Sequence, residues 1–191
     1  DRHLAVLEPH LPELSALVTE ENGKIESEAT AEVLKSMELT EFACSLPQIT
    51  AGEVLEVSKG VECRIERYPV GVVASITPFN FPNMVPNWTI PNAIALGNTM
   101  ILKPSEQVPI SAQRIADLLK LAGLPDGVLN IVHGGRDAVE AICDHPGIAG
   151  VLREDPATGP EAISHGREAA DERQYQRRVA SHVYFSCRCF A

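Results

Sequence analysis

The chain has 191 residues, of which 45% are hydrophobic, and a formal net charge of −10 at pH 7. This composition is typical of a globular protein, with enough apolar sequence to bury one core. Residues 1–66 hold 14 acidic and 5 basic side chains, which is typical of solvated surface helices. A nucleic-acid-binding protein would show a basic face, so no nucleic-acid partner is expected.

Two further features bear on the location of the protein. No apolar run reaches the length of a bilayer span, and no signal peptide precedes the first helical pattern. The five cysteines are odd in number and irregularly spaced, which suits a reducing compartment better than a disulfide framework. We therefore expect a soluble, intracellular protein without a membrane partner.

The first 52 residues predict two helices, and residues 53–67 predict a β-hairpin. Leucines at three- and four-residue steps indicate a helix over 3–22, which Asn22-Gly23 would end. The second helix is expected over 26–46, with Ala29, Val33, Met37, Phe42 and Cys44 near its buried side and Pro47 as its end. Alternating apolar residues around a Lys-Gly pair at 59–60 indicate the hairpin, which is more often an edge or a subunit contact than a catalytic part.

Residues 68–151 predict an α/β fold with a doubly wound parallel sheet. Short apolar runs at 70–76, 99–102, 128–132 and 148–151 alternate with helical patterns, among them 110–122 and 137–143. A continuous apolar run is typical of a strand buried on both faces. The carboxyl ends of neighbouring parallel strands form the edge at which such sheets bind ligands.

Polar residues follow the first two strands, and each allows two interpretations. Asn80 could donate an N–H to an oxyanion, but its spacing favours a cap for a helix that begins near Pro82. Lys103 and Glu106 could together bind the two hydroxyls of a ribose. Alternatively, Glu106 caps the helix after Pro109 and Lys103 is solvated.

Other candidate sites are weaker. The chain has no G-x-G-x-x-G motif, and the segment 133–135, His-Gly-Gly, reads better as a turn than as a ligand contact. The cysteines are too sparse for a zinc site, so no metal is expected. The positions of Cys44 and Cys143 on apparent helix faces indicate small buried thiols rather than nucleophiles.

The character of the sequence changes at Val151. The fourth strand is expected to stop there, because residues 152–191 show no sustained apolar period. This segment has six arginines and no lysine, whereas residues 1–151 have five of each. We expect a divergent tail over 152–191 that is disordered or loosely helical.

Several motifs, in order and spacing, resemble the aldehyde dehydrogenase superfamily over residues 3–151. They are Thr-Glu-Glu-Asn-Gly-Lys at 19–24, Tyr-Pro-Val-Gly-Val at 68–72, Thr-Pro-Phe-Asn-Phe-Pro at 77–82, Gly-Asn-Thr at 97–99, Lys-Pro-Ser-Glu at 103–106 and Gly-Leu-Pro-Asp-Gly-Val-Leu-Asn at 123–130. The Pro-Phe-Asn-Phe-Pro form, together with segments 132–134 and 142–146, is most similar to methylmalonate-semialdehyde dehydrogenases. Enzymes of that subgroup use NAD and transfer the acyl group of the oxidised substrate to coenzyme A.

The resemblance implies a role for each matching position. The residues 1–52 and 68–151 would belong to a Rossmann-like NAD-binding part, and 53–67 would be the hairpin that joins subunits of a homo-oligomer. Asn80 would supply the oxyanion hole, and Lys103 and Glu106 would hold the adenosine ribose, with Gln107 beside them. The nicotinamide side of the cofactor cleft would be lined by Thr77, Pro78 and Phe79.

The implied activity is NAD-dependent oxidation of a small semialdehyde to an acyl group, which coenzyme A or water then releases. The implied compartment is the bacterial cytoplasm or the mitochondrial matrix. The resemblance stops after Val151. The family's phosphate-binding Gly-Ser would fall at 155–156, where this chain has Asp155-Pro156. Cys187 and Cys189 match no family motif, so the nucleophile is absent and the chain is expected to be a truncated, inactive form or a non-catalytic remnant. A shift of reading frame near codon 152 would explain the change of composition.

Overall fold

The computed structural model describes residues 2–155 and 159–163. The helices are α1 (Arg2–Leu7), α2 (Leu11–Asn22), α3 (Glu26–Ile49), α4 (Met84–Ala95), α5 (Pro109–Leu121) and α6 (Arg136–Asp144). The strands are β1 (Glu53–Ser58), β2 (Val61–Ile65), β3 (Val72–Ile76), β4 (Thr99–Lys103), β5 (Leu129–Ile131), β6 (Gly150–Asp155) and β7 (Gly159–Ile163). None of the helices in these ranges is long and apolar enough to cross a membrane.

The first predicted helix is interrupted. A 3-10 turn, Glu8–His10, separates α1 from α2, because Pro9 has no N–H with which to continue the α-helical hydrogen bonds. The predicted end at Asn22-Gly23 is confirmed: Gly23 has φ +80°, and its N–H donates to the Thr19 carbonyl.

The second helix, α3, is longer than predicted, and only part of its predicted buried side is buried. It continues to Ile49, so the prediction that Pro47 ends it is wrong; Pro47 lies in the last turn, where few hydrogen bonds remain to be lost. Ala29 and Val33 are buried and Met37 is partly buried, as predicted, but Phe42 is 53% exposed and Cys44 is also exposed, so their predicted burial is wrong. The buried face consists of small and polar residues, Ala29, Glu32, Val33, Ser36, Thr40 and Ala43.

The polar residues of this face explain why hydrophobic periodicity identified only part of it. The Ser36 and Thr40 hydroxyls donate to carbonyls one turn back, Glu32 O at 3.1 Å and Ser36 O at 2.9 Å. Hydroxyls satisfied within their own helix can be buried without an outside partner. Their small size lets α4 pack against α3.

The hairpin formed by β1 and β2 is confirmed. The two strands pair antiparallel from Glu53 opposite Ile65 to Ser58 opposite Val61. Gly60 in the turn has φ +76°, a conformation that glycine adopts without strain. Every residue of β1 is exposed, including Val54, Leu55 and Val57.

The predicted parallel sheet is also confirmed, in the order β5-β4-β3-β6-β7 with its first four strands parallel. On one face, Met100 and Leu102 of β4 pack with residues of α4 and α5. On the other face, Ala74 and Ile76 of β3 pack with Ile142 of α6 and with neighbouring residues. Helices therefore cover both faces, and all four parallel strands direct their carboxyl ends to one edge.

The predicted end of the fourth strand at Val151 is wrong. Strand β6 continues to Asp155, and β7 pairs with it antiparallel, with Val151 opposite Ile163 and Asp155 opposite Gly159. A short strand such as Gly-Pro-Glu-Ala-Ile has no alternation of its own, and it forms here because the edge of β6 offers backbone partners. The expectation of a disordered tail is therefore wrong for 152–155 and 159–163. Residues 156–158 and 164–191 lie outside the described residues.

Candidate functional site

A cleft of about 700 Å³ lies at the carboxyl edge of the parallel strands. Its size is within the range typical of small-molecule and cofactor sites, about 300–1,000 Å³. The strand ends contribute Ile76, Thr77, Pro78, Phe79, Lys103, Ser105, Glu106, Arg153 and Glu154, and α6 contributes Arg136, Val139, Glu140, Cys143 and Asp144. The structure therefore places five of the predicted cofactor-binding residues around one cleft.

Lys103 and Glu106 form an ion pair in this cleft, with Lys103 Nζ 3.0 Å from Glu106 Oε2. The Lys103 side chain is only 5% exposed, which contradicts the alternative of a solvated lysine. The pKa of the Glu106 carboxyl is lowered, chiefly by a hydrogen bond from its own backbone N–H and then by Lys103. The Glu106 carboxyl is therefore ionised at neutral pH, and this open carboxylate can accept hydrogen bonds from a ligand's hydroxyls.

The capping role considered for Glu106 belongs to another residue. Helix α5 begins at Pro109, and the Glu21 carboxylate, from the end of α2, accepts hydrogen bonds from the N–H groups of Ile110 and Ser111. A carboxylate at this position satisfies free N–H groups and interacts favourably with the helix dipole. Glu106 is thus left free to face the cleft.

The predicted neighbours of the pair differ in their placement. Thr77 and Pro78 are buried at the end of β3, and the Thr77 N–H donates to the Lys103 carbonyl at 3.0 Å. Phe79 is 44% exposed at the cleft. Gln107 is exposed and does not line the cleft; its N–H donates to Ser105 Oγ in the turn.

The loop after β5 also comes close to the ion pair. A Cβ placed on Gly135 would lie 3.9 Å from Glu106 Oε1, so Glu106 lies beside the turn at 133–135. Gly134 has φ +152° and a Cβ there would meet Ala138 at 2.8 Å, which explains a glycine at this position. The segment forms the bend between β5 and α6, and it also borders the site.

Asn80 does not cap α4. This helix begins at Met84, and the carboxylate of Glu32 accepts hydrogen bonds from the N–H groups of Asn83 at 2.8 Å and Met84 at 3.1 Å. The Asn80 side-chain oxygen is buried and has no hydrogen-bond partner among the described residues. The capping interpretation is therefore wrong, and the oxyanion role stays a prediction.

Three residues that fix the loop around Asn80 were not identified as such from the sequence. Lys24 Nζ donates to the Asn80 carbonyl at 2.6 Å and to Glu32 Oε2 at 2.6 Å, and Asn22 Nδ2 donates to the Phe79 carbonyl at 2.8 Å. Asn22 and Lys24 belong to a motif that carried the family resemblance, which was the available signal. Glu32 offered none, because a glutamate inside a helix is usually exposed.

Cys143 lines the cleft but is a poor nucleophile. Burial raises the pKa of its thiol, which lowers the fraction of reactive thiolate. The nearby Glu154 also has a raised pKa because it is partly buried, and its Oε2 has no hydrogen-bond partner among the described residues. No group of three or more histidine, cysteine or acidic side chains in the described ranges could hold a metal ion.

Comparison with known proteins gives a consistent result. A family model described as "Aldehyde dehydrogenase family" matches residues 1–153. Malonate-semialdehyde dehydrogenase 2 of Geobacillus kaustophilus is 50% identical over 151 residues, which are 78% of this chain and 31% of that protein. The malonate-semialdehyde dehydrogenase of Lacticaseibacillus casei is 52% identical over the same shares.

Solved structures agree with the sequence relatives. The methylmalonate-semialdehyde dehydrogenase of Oceanimonas doudoroffii superposes with a TM-score of 0.77 at 46% identity, over 78% of this chain and 31% of that chain. A structure from Sinorhizobium meliloti 1021 described as a methylmalonate-semialdehyde dehydrogenase complexed with NAD gives 0.78 at 40% identity, over 80% and 31%. The chain therefore spans 31% of the length of these relatives.

Proposed function

The chain belongs to the aldehyde dehydrogenase family, and from that premise we propose that it forms the cofactor-binding side of an NAD-dependent semialdehyde dehydrogenase. The observation that supports this proposal is the Lys103–Glu106 pair in the cleft at the carboxyl edge of β3 and β4. The NAD-bound relative supports the choice of cofactor.

The residues of the cleft fit the adenosine ribose of NAD. The exposed Glu106 carboxylate can accept hydrogen bonds from adjacent ribose hydroxyls, and the Lys103 ammonium, which has three N–H donors, can donate to one of them while it keeps Glu106 in place. The nicotinamide ring supplies the hydride acceptor for aldehyde oxidation. Thr77, Pro78 and Phe79, at the end of β3, would border the path of the cofactor toward that ring.

Asn80 would act on the substrate rather than on the cofactor. Its carboxamide N–H groups can donate to the oxygen of an aldehyde as negative charge develops there. Removing one such donor from an enzyme costs about 10²–10³ in rate. The alternative role for Asn80, a helix cap, is already taken by Glu32.

The names of the relatives support a malonate- or methylmalonate-type semialdehyde as the substrate class. Release of the acyl group to coenzyme A is the favoured outcome, and release to water is the alternative. The whole family reaction needs a thiolate nucleophile. Neither Cys187 nor Cys189 lies in a family motif, so these 191 residues alone are expected to oxidise no aldehyde. The family function implies the cytoplasm or the mitochondrial matrix as its compartment.

Calorimetric titration with AMP tests the proposed cofactor site. We expect weak but measurable binding that Glu106→Gln lowers at least tenfold, because the neutral amide replaces the carboxylate that accepts the ribose hydroxyls. Glu140→Gln is the matched control, since Glu140 also borders the cleft but pairs with Arg136 at 2.6 Å. AMP binding that survives Glu106→Gln unchanged would place the nucleotide elsewhere and overturn the assignment.

A subunit contact is the second candidate function. Val54, Leu55 and Val57 of β1 are each more than half exposed, and an isolated two-stranded hairpin is only marginally stable in water. We propose that this hairpin joins copies of the chain in a homo-oligomer. Sedimentation velocity should show an assembly that Leu55→Asp dissociates, whereas a chain that is monomeric before any substitution would contradict this candidate.

A further inference from the structure

A largely buried ion pair outside the cleft contacts the loop that carries Asn80. Lys24 Nζ lies 2.6 Å from Glu32 Oε2, with the two side chains 17% and 1% exposed. The same nitrogen donates to the Asn80 carbonyl at 2.6 Å and lies 3.8 Å from the centroid of the Phe81 ring. The ammonium therefore has a carboxylate, a carbonyl and an aromatic face as partners.

The other oxygen of Glu32 reaches the far end of the same loop. Glu32 Oε1 accepts the N–H groups of Asn83 and Met84 at the start of α4. One carboxylate thus connects the start of α4 to Lys24, and Lys24 connects to Asn80. The Asn80 loop, residues 79–83, is held at two points by a single charged pair that belongs to neither α4 nor the sheet.

We propose that Lys24 and Glu32 are positioning residues that fix the direction of the Asn80 carboxamide. This inference rests on the proposed oxyanion role of Asn80. The Asn80 loop lies between β3 and α4 and has no helix or strand pattern of its own to fix its backbone. The side-chain oxygen of Asn80 has no hydrogen-bond partner among the described residues, so it does not hold the amide in place.

The choice of a buried charged pair fits positioning better than simple stability. A buried ion pair is often no more stabilising than apolar residues of the same volume, because both charges lose their hydration. What the pair provides here is directed hydrogen bonds to the Asn80 carbonyl and to two backbone N–H groups. Apolar side chains could fill the same space, but they would leave these backbone groups without partners.

The test is ¹⁵N relaxation and side-chain amide spectra of the 191-residue chain with single substitutions. Lys24→Met removes the donor to Asn80 and the contact with Phe81, and we expect the order parameters of Asn80 and Phe81 to fall from about 0.85 to below about 0.6. The Asn80 NH₂ signals should shift toward the positions of a freely rotating amide. Lys24→Arg keeps a charged donor and should restore most of both signals.

Two further variants separate positioning from general stability. Glu32→Gln keeps an oxygen for the start of α4 but weakens the hold on Lys24, so Asn80 should lose order while Met84 keeps it. Lys35→Met is the control, because Lys35 pairs with Glu38 on the exposed side of α3, the helix that contains Glu32. That variant should leave the Asn80 signals unchanged. If Lys24→Met does not fold, the Glu32→Gln variant by itself tests the inference.

Unchanged Asn80 order parameters and NH₂ shifts in folded Lys24→Met or Glu32→Gln would overturn the inference. An equal loss of order throughout the chain would also overturn the inference, because it would indicate a structural role only. These measurements need neither nucleotide nor aldehyde. Their failure would therefore leave the AMP site untouched, and a failed AMP titration would leave the positioning result untouched.

Discussion

The ion pair between Lys103 and Glu106 joins a buried cation to an exposed anion: the side chains are 5% and 63% exposed, although their charged atoms are 3.0 Å apart. Lys103 is the last residue of β4, and its strand position places it inside the protein. Glu106 follows in the open turn. The pair thus presents its negative charge to the cleft while its positive charge is withdrawn from water.

The first prediction concerns this withdrawn charge. Lys103→Met should leave the melting temperature equal or slightly higher, because an unbranched apolar chain replaces an ammonium whose burial costs hydration energy. The same substitution should lower AMP affinity at least tenfold, since it removes a donor and releases Glu106. Thermal unfolding followed by circular dichroism, together with AMP titration, measures both effects.

Lys120→Met is the control for that experiment. Lys120 pairs with Asp126 at 2.9 Å, but its side chain is 71% exposed, so it should affect neither quantity appreciably. A large loss of stability in Lys103→Met would show that the Lys103–Glu106 pair stabilises the fold, contrary to the prediction.

The second prediction concerns the start of α5. Glu21→Ala leaves the Ile110 and Ser111 N–H groups without their carboxylate and should lower the free energy of unfolding by about 1–2 kcal/mol, as loss of an N-cap commonly does. Urea denaturation gives this difference directly. Glu20→Ala, at an adjacent exposed position of α2, is the control and should change stability little. Equal losses in both variants would argue against a capping role for Glu21.

The sheet was predictable from the sequence because buried parallel strands are continuous apolar runs. Residues 72–76 and 99–103 carry that pattern, and Gly23 and Gly60 mark turns that need a positive φ. The rule that ligands bind at the carboxyl ends of such strands marked Lys103 and Glu106 as candidates, and the family resemblance implied their ribose-binding role. These signals are local in sequence, and the strands, turns and residue positions that they indicate are found in the structure.

The missed features depend on partners distant in sequence. Glu32 and Asn83 are 51 positions apart, and Glu21 and Ser111 are 90 apart, so no local pattern links a carboxylate to the helix it caps. Strand β7 forms because β6 has an open edge. The polar part of the buried face of α3 was missed for another reason: the Ser36 and Thr40 hydroxyls bond to carbonyls of their own helix, which hydrophobic periodicity does not record.

The third prediction concerns pH. Burial lowers the pKa of His3 from the usual 6.5 to about 4, and its Nε2 has no hydrogen-bond partner among the described residues. Between these two values the unfolded chain binds a proton that the folded chain excludes. Stability should therefore fall as the pH drops from 6.5 to 4, by up to roughly 3 kcal/mol at about 1.4 kcal/mol per pKa unit.

His3→Leu should flatten this part of the stability–pH curve, which urea denaturation at a series of pH values would measure. His133→Gln is the control, because it removes an exposed imidazole instead of the buried one. Carboxylates also titrate in this range and contribute to the slope of stability against pH. The test of the His3 prediction is therefore the difference in slope between the two variants. Equal slopes in both variants would contradict the prediction.

The last prediction concerns the pyrophosphate of NAD. Phosphates commonly bind at a helix N-terminus that follows a strand, where free N–H groups and the helix dipole attract them. In the described part of this chain β6 is followed instead by the antiparallel strand β7, with Asp155 opposite Gly159. The resemblance places the family's phosphate-binding Gly-Ser at 155–156, and this sequence has an acidic residue and a proline there.

We therefore expect NAD⁺ to bind no more tightly than AMP. Each charge-assisted hydrogen bond is worth about 1.5–3 kcal/mol, and about 1.4 kcal/mol changes affinity tenfold. The loss of two such bonds would turn a micromolar site into a millimolar one or weaker. Asp155→Asn removes the negative charge and should improve NAD⁺ binding more than adenosine binding, because adenosine carries no phosphate to be repelled. Calorimetry with NAD⁺, AMP and adenosine on the wild-type chain and Asp155→Asn measures these ratios, and micromolar NAD⁺ binding that persists in Glu106→Ala would contradict both the weak phosphate site and the ribose assignment.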